Sequence, residues 1–417
     1  MTETKSQPGF LKKIFLTNFL DMLGFGMILP VFGFLFEEVA IDGKGGIFAT
    51  IYDPEMLKFL YLFMIGSYSI GTWLGAPVIG ALSDKYGRRR MLQFTYTCNI
   101  LFYLVFVAGI YYVNYPLVYV GRVLAGLTGG SLLVINAAIA DVSAPEDKAK
   151  NFGITGIAFG LGAIIGSFLG GFLSDPSFSP YFNESLPVLV SCVVTFANIL
   201  FMTFVFDETF EGVPERKVSI LTGPKNTYKA FTNKSLRDIF IVIFLMTLSF
   251  NFLIQFYQFY VRDTFQFSKT QIGLILAFVG ISTAIAQGLI LRWISNRHNP
   301  MLVLACALPL FAMSYLILLI PISTAGFMAA TFLMVAFQGI TFPTSLSVVS
   351  NLADRSIQGE IIGINMSVQS FAAATPILIG LVTEIQYTLP MWVGAALTFA
   401  AWIYYMLRFG SEMKLKR

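Results

Sequence analysis

The segment Gly80–Leu92, GALSDKYGRRRML, decides how the rest of the chain is interpreted. Only 12% of the whole chain is charged, and yet charged residues crowd into this short segment. They are Asp84, Lys85, Arg88, Arg89 and Arg90. Long apolar runs flank the segment on both sides. The pattern predicts a short charged turn between two apolar helices.

Composition places the chain in a membrane. Its 417 residues are 56% hydrophobic and 15% aromatic, and the mean hydropathy is +0.74. Soluble domains are about 45–50% apolar and about 25% charged. Apolar runs of about 20 residues recur along the chain, and each is long enough to cross about 30 Å of hydrocarbon as a helix. A soluble fold is therefore excluded.

The apolar runs predict twelve transmembrane helices, because lipid leaves no other way to pair the backbone of a single span. The predicted spans are 14–37, 58–83, 91–112, 115–140, 149–173, 186–206, 238–261, 270–294, 300–320, 324–350, 357–382 and 388–408. The longest polar segment follows the sixth span and is basic. We therefore predict an all-α integral membrane protein with two pseudo-symmetric six-helix halves, 1–207 and 235–417, joined by a cytoplasmic linker, 208–234.

The distribution of Lys and Arg predicts the orientation, since cytoplasmic loops are enriched in basic residues. If both termini lie inside, the outside segments contain only Lys44, Lys58, Arg262 and Lys269. We therefore expect both termini in the cytoplasm and a location in the cell (inner) membrane. The net charge of +4 is spread over short loops, so we expect no nucleic-acid partner.

The chain carries no pattern typical of an enzyme or a metal site. Cys98, Cys192 and Cys306 all lie in apolar runs, and the single histidine, His298, lies in a polar loop. A membrane-embedded enzyme would need a convergent set of nucleophile, base or metal ligands. We expect no enzymatic activity, no metal and no cofactor. A channel remains a further alternative.

The charged segment resembles the motif between the second and third spans of the major facilitator superfamily, G-x-L-x-D-(R/K)-x-G-R-(R/K). Each fixed position of that motif is matched, by Gly80, Leu82, Asp84, Lys85, Gly87, Arg88 and Arg89. The stretch GRVLAGLTGG, with Arg122 and Gly126, resembles the fourth-span arginine motif of the family. The first span, FLDMLGFGMILPV, resembles the drug–proton antiporters, and the tetracycline exporters in particular.

The resemblance implies that the charged segment forms a conformational latch. Arg88 would pair with Asp84, four residues before it, and with Asp141 at the inner end of the fourth span. Gly80 and Gly87 belong to the same motif, and Gly87 would permit the tight turn. The alternative is that the basic residues only set the topology.

Two charged residues within the spans are candidates for proton coupling. Asp21 lies about seven residues into the first span, and removal from water favours the protonated form of a carboxyl group. Arg122 cannot lose its proton and needs an acceptor or water. It could hold an anionic group of a substrate, and the resemblance implies a part in proton coupling. The alternative for both residues is a structural contact between helices.

Buried amides and aromatic residues are candidates for a substrate cavity. In the seventh span, Asn251, Gln255 and Gln258 share one helical face, with aromatic residues beside it. The predicted cavity residues are Asn136, Asn251, Gln255, Phe256, Gln258, Phe259, Gln287, Gln338, Asn365 and Gln369. Such residues suit a partly apolar ligand with a few polar groups. Buried amides also serve as hydrogen bonds between helices, which is the alternative.

These features predict a proton-coupled exporter of a small amphipathic compound, acting as a monomer on protons and a small molecule in membrane lipid. Two departures from the resemblance matter. Thr283 stands at the position of a histidine in the tetracycline exporters, and the ninth span has no acid, which argues against tetracycline itself. Ser167 replaces a proline of the antiporter motif. Proton-coupled uptake of a nutrient or metal chelate therefore stays an alternative.

Overall fold

The structure is a computed structural model. It describes residues 8–36, 46–142, 148–209, 219–234, 236–295, 297–320, 323–352, 358–375 and 388–415. Within these ranges the regular structure is helical. The helices are α1 Pro8–Leu35, α2 Pro54–Tyr86, α3 Arg88–Tyr111, α4 Tyr115–Leu127, α5 Ser131–Val142, α6 Lys148–Leu173, α7 Leu186–Val205, α8 Thr222–Thr232, α9 Arg237–Phe265, α10 Lys269–Ile285, α11 Arg292–Ser295, α12 Pro300–Ile317, α13 Thr324–Leu352, α14 Gln358–Ala374 and α15 Leu389–Leu415.

The helices confirm the predicted fold class. Eleven candidate membrane spans lie within the described ranges. α14 lies within the predicted eleventh span, and residues 376–382 of that span lie outside the described part of the chain. The first span starts earlier than predicted, because α1 already begins at Pro8. The chain is therefore a multi-pass helical membrane protein.

Three local features were not predicted from hydropathy. The fourth span is interrupted by a turn at residues 128–130, between α4 and α5, where two consecutive glycines follow Thr128. The eighth span changes from α-helix to a π-helix over Ala286–Leu291. The linker contains α8, a short helix that packs Ala230 into a hydrophobic core. Hydropathy reports which segments are apolar, and it does not report how the backbone winds within them.

Contacts divide the chain into two compact units. The first unit comprises residues 1–222 together with 267–280, and the second comprises 223–266 and 281–417. In the first, α1 packs against α6 and α7, while α4 packs against α2 and α3. In the second, α9 packs against α14 and α15, and α12 packs against α13 and α15. The predicted domain boundaries stay a prediction.

The outer surface of the helices is apolar, as expected for contact with lipid. On α7, the exposed fractions of Val193, Phe196 and Phe204 are 68%, 55% and 81%. A soluble protein rarely exposes such a contiguous apolar surface. Two polar side chains of α7, in contrast, are buried within the unit, where Ser191 and Asn198 donate to the backbone carbonyls of Gly24 and Thr17.

Candidate functional site

A tight turn at Gly87 places the N-terminus of α3 beside an acidic side chain. Gly87 has φ = 94°, a conformation that favours glycine. The carboxylate of Glu208 accepts hydrogen bonds from the backbone N–H groups of Arg88, at 2.7 Å, and Arg89, at 3.1 Å. A negative charge is favourable at a helix N-terminus. A side chain in place of Gly87 would collide with Glu208.

Arg88 is the centre of a charged network at the same end of the first unit. Its Nη1 donates to Asp84 Oδ1 at 2.5 Å and to Ser83 Oγ at 2.6 Å. Its Nε donates to Asp141 Oδ2 at 3.0 Å. Only 5% of Arg88 is exposed. The structure therefore brings the three predicted residues Asp84, Arg88 and Asp141 together, while their role as a latch stays a proposal. The other predicted motif residue, Gly80, lies against the side chain of Leu133 on α5.

Asp21 lies at the middle of α1, deeper than the predicted span boundaries placed it. It is the fourteenth of 28 residues, about 20 Å from the helix start. The turn at residues 128–130 ends at Ser131, whose hydroxyl donates to Asp21 Oδ2 at 2.8 Å. The buried Tyr96 hydroxyl interacts electrostatically with the same carboxyl group. Asp21 therefore faces neutral hydroxyl groups, with no ion pair among the described residues.

Arg122 is buried among aromatic rings of the first unit. Its guanidinium carbon lies 4.1 Å from the ring centre of Phe32 on α1 and 3.9 Å from that of Tyr68 on α2. Tyr68 and Tyr103 both lie near Arg122 and near Asp21. The two predicted proton-coupling residues form no ion pair with each other. They share aromatic neighbours.

The close approach of α2 and α4 places Tyr68 beside Arg122. A Cβ atom on Gly126 would lie 2.5 Å from the backbone oxygen of Tyr68. Replacement of Gly126 by alanine would therefore force the two helices apart. We expect Gly126→Ala to lower the free energy of unfolding by about 1–3 kcal/mol, which thermal unfolding of the purified protein measures.

The control for this substitution is Gly156→Ala on α6. A Cβ atom there meets no atom within 4 Å. Because alanine is a better helix former than glycine, Gly156→Ala is expected to be neutral or stabilising. Equal stability of both variants would show that the close packing of α2 on α4 is not required.

In the second unit, two of the predicted cavity amides donate hydrogen bonds to backbone oxygens. Asn251 Nδ2 donates to the backbone oxygen of Thr247, one turn earlier in α9, at 2.9 Å. Gln255 Nε2 donates to the backbone oxygen of Ala373, at the end of α14, at 3.3 Å. Phe256 is buried and packs edge-to-face on Phe252. Only the Gln255 bond joins two helices, since the other two contacts lie within α9, and the cavity role stays a proposal.

The remaining cavity candidates are spread over both units. Asn136 and Asn365 each have a buried side-chain oxygen without a hydrogen-bond partner among the described residues. Gln287 lies within the π-helix, opposite Gly339 of α13. Gln338 precedes that glycine, and Gln369 is half-buried on α14. The side chains of Gln258 and Phe259 lie outside the described part of the structure.

A second polar cluster ties the loop after α6 to the start of α10, within the first unit. Asp175 accepts hydrogen bonds from Ser177 Oγ at 2.7 Å and from Thr270 Oγ1 at 2.8 Å. Lys269 forms an ion pair with Glu184. Burial of Asp175 alone would raise the pKa of its carboxyl group. The hydrogen bonds outweigh this effect and hold that pKa below its ordinary value of 3.8.

We expect Asp175→Asn to lower the free energy of unfolding by about 1–3 kcal/mol, because it weakens charge-assisted hydrogen bonds. A lowered pKa contributes stability that is fully present above the ordinary value of 3.8 and is lost as pH falls below it. The difference between wild type and variant should therefore be constant from about pH 8 to pH 5. Thermal unfolding at several pH values measures it.

Asp53→Asn is the matched control for Asp175→Asn. The carboxylate of Asp53 caps the N-terminus of α2 through Met56 N at 2.8 Å. Asparagine caps a helix as well as aspartate does, so this variant should keep its stability. The prediction for Asp175 can be contradicted by its pH dependence. If the difference in the free energy of unfolding between wild type and Asp175→Asn shrinks between pH 8 and pH 5, the pKa of Asp175 is not lowered.

Sequence reasoning missed three contacts that shape the site. Glu208 lies in the linker, and no spacing connects it with the N-terminus of α3. Ser131 is one of many serines in apolar runs, and only the turn before it directs its hydroxyl to Asp21. Phe32 and Tyr68 resemble ordinary core aromatics in the sequence. Their position beside Arg122 depends on helix packing, which a single sequence does not report.

Comparison with known proteins agrees with this architecture. The sequence model of the Major Facilitator Superfamily matches residues 14–376 and 239–416. The class C tetracycline resistance protein of Escherichia coli is 28% identical over 367 residues, which cover 86% of each chain. The class H tetracycline resistance protein of Pasteurella multocida is 25% identical over 397 residues, with 94% of this chain and 93% of that protein covered.

A solved structure has the same fold. The human organic anion transporter MFSD10 superimposes with a TM-score of 0.73 and 22% identity, and the match covers 96% of this chain and 100% of that one. The resemblance to the superfamily therefore holds for the sequence and for the fold. The chain belongs to the Major Facilitator Superfamily, and it is a membrane transporter of small molecules rather than an enzyme.

Proposed function

We propose that this transporter is proton-coupled and exports a small amphipathic compound across the cytoplasmic membrane. The observation that carries the proposal is the position of Asp21, a carboxyl group at mid-helix whose described hydrogen-bond partner is a neutral hydroxyl. Ionisable groups at such depth are costly and commonly serve ion or proton pathways. The names of the tetracycline resistance proteins support export of a drug-like compound.

In this proposal, Asp21 loads and releases a proton, and Arg122 sets the electrostatic field around it. The network of Asp84, Arg88 and Asp141 acts as a latch that stabilises one conformation. The predicted amides and aromatic residues contact the substrate. We further propose that the protein acts as a monomer, with both termini in the cytoplasm.

The substrate is proposed to differ from tetracycline. Thr283 replaces a histidine expected from the resemblance, and α12 contains no acidic residue. The spans of the second half contain few acidic residues that could pair with a permanently dicationic substrate. A moderately apolar compound with hydrogen-bonding groups fits the proposed cavity better.

Uptake of a nutrient or metal chelate in symport with protons is the second candidate. The observation that favours it is the continuous α-helix Lys148–Leu173, which runs through Ser167 where the antiporter motif has a proline. A proline inside a helix removes a hydrogen bond and introduces a kink. Without this proline, one feature of the exporters is missing.

Transport assays in opposite orientations test the proposal. Candidate compounds from a thermal-stabilisation screen would be offered to intact cells and to everted vesicles, with an imposed pH gradient. Export predicts proton-driven accumulation in everted vesicles and exclusion from intact cells. Proton-driven accumulation in intact cells would favour the symporter, and flux without any response to the gradient would contradict both.

A further inference from the structure

Arg122 is a buried cation for which the described residues provide no anion. Only 6% of the residue is exposed, and its Nε has no hydrogen-bond partner. No described residue forms a hydrogen bond or an ion pair with the guanidinium group. Arginine stays protonated in proteins, so the group cannot escape this situation by releasing a proton. An unpaired buried charge is strongly unfavourable.

The aromatic neighbours compensate only part of this cost. The rings of Phe32 and Tyr68 lie within cation–π distance of the guanidinium. Such contacts contribute about 2 kcal/mol each when they are shielded from water. The effective cost of removing an ion from water is several kcal/mol. A negatively charged ligand beside the guanidinium group would offset the remaining cost of burying its charge.

The guanidinium group still has N–H groups to offer such a ligand. The ring centres of Phe32 and Tyr68 lie about 4 Å from its carbon atom, and no described residue accepts a hydrogen bond from it. The N–H groups form a planar fork that matches a carboxylate or a similar oxyanion. Tyr61 and Tyr103 are further aromatic residues near Arg122.

The acidic residues predicted within or beside the spans of the first unit have other partners. Asp21 accepts a hydrogen bond from Ser131 and forms no ion pair with Arg122. Asp84 and Asp141 are paired with Arg88. Within the described part of the first unit, the cation therefore has no acidic partner, and an anion from outside the chain can take that place.

We propose that Arg122 binds the carboxylate or sulfonate group of an amphipathic organic anion, with the surrounding aromatic side chains in contact with its apolar part. This inference rests on the proposed transport function and names the substrate class for the first unit. Neutralisation of the anion by Arg122 would allow it to cross the apolar interior. The site differs from the predicted amides of the second unit, which carry no charge.

Equilibrium binding to the purified protein in lipid nanodiscs tests this proposal. The probes are naphthalene-1-acetate and naphthalene-1-sulfonate, compared with the neutral naphthalene-1-acetamide. Empty nanodiscs correct for partition into lipid. We expect wild type to bind both anions at least tenfold more tightly than the amide. The amide has nearly the same size and the same ring, so the difference reports the charge.

Variants of Arg122 locate the site. Arg122→Gln should weaken binding of both anions at least tenfold and change amide binding less than twofold. Arg122→Lys keeps the charge without the planar fork, so it should bind anions with intermediate affinity and still prefer them to the amide. Arg297→Gln is the matched control, because Arg297 also stacks on an aromatic ring, that of Trp293, but is exposed. It should behave as wild type.

Three results would overturn the proposal. They are equal affinity of wild type for the anions and the amide, no binding of either anion at millimolar concentration, and anion binding that is unchanged in Arg122→Gln. The comparison of acid with amide needs only wild type, so it decides the question even if a variant does not fold. Because the assay uses no gradient, its failure leaves proton coupling intact, and a failure of proton coupling leaves this site intact.

Discussion

Replacement of Asp21 by asparagine is expected to abolish transport driven by a pH gradient while the protein remains folded. Asparagine is almost isosteric with aspartate, and its side-chain oxygen can still accept the hydrogen bond from Ser131. The fold should therefore tolerate the change. The amide cannot carry a proton at any accessible pH, so coupling is lost. Uptake into liposomes with an imposed pH gradient should therefore fall to the rate that is measured without the gradient.

Exchange of substrate between two equal pools is the internal control for Asp21→Asn. Exchange needs alternating access but no net proton movement, so the variant should retain it. Asp207→Asn is the matched substitution elsewhere, since Asp207 pairs with Lys13 and its side chain is 74% exposed. That variant should transport normally. Gradient-driven uptake at wild-type rate in Asp21→Asn would refute the proposed role of Asp21.

Replacement of Arg88 by alanine is expected to have the largest effect on stability. The side chain of Arg88 is 6% exposed and joins Asp84 and Asp141, whose side chains are 15% and 18% exposed. Its removal leaves two neighbouring carboxylates without their shared cation. Loss of one member of a buried ion pair typically costs about 3–5 kcal/mol. We expect a loss near the lower end of this range, measured by thermal unfolding.

The proposed latch also predicts the rate at which the Arg88 variants exchange substrate. If the network stabilises one working conformation, Arg88→Ala should also reduce the rate of substrate exchange at least tenfold. Arg88→Lys should restore little of this rate, because one ammonium group does not reproduce the two-sided contact. Arg90→Ala, at an exposed position of the same segment, should leave exchange unchanged. A wild-type exchange rate in Arg88→Ala would contradict the latch. The charged segment Gly80–Leu92 would then only set the topology.

Much of the fold could be predicted because the membrane imposes simple rules. Apolar runs of sufficient length must become helices, and the described part of each predicted span consists, apart from residues at its ends, of one helix or of consecutive helical segments. Asp84 and Arg88 belong to a motif with fixed spacing, and Asp141 was added to them through the resemblance to the superfamily. The depth of Asp21 was less accurate, since the charged residues Lys12 and Lys13 hid the early start of α1.

The remaining features depend on contacts between distant segments. The turn at residues 128–130 and the π-helix Ala286–Leu291 arise inside apolar runs without a change in hydropathy. Glu208 caps α3 from more than a hundred residues away in sequence. The aromatic neighbours of Arg122 come from α1 and α2. A single sequence shows which residues are apolar or charged, but only packing shows which of them meet.

The most direct test of proton coupling measures proton movement and substrate flux in the same experiment. Purified protein would be placed in liposomes with a pH-sensitive dye inside, and a downhill gradient of a transported compound would be applied. In wild type, the internal pH should change in proportion to substrate flux. In Asp21→Asn, the compound should cross with no change in internal pH. The same number of protons per substrate in both proteins would contradict the central claim.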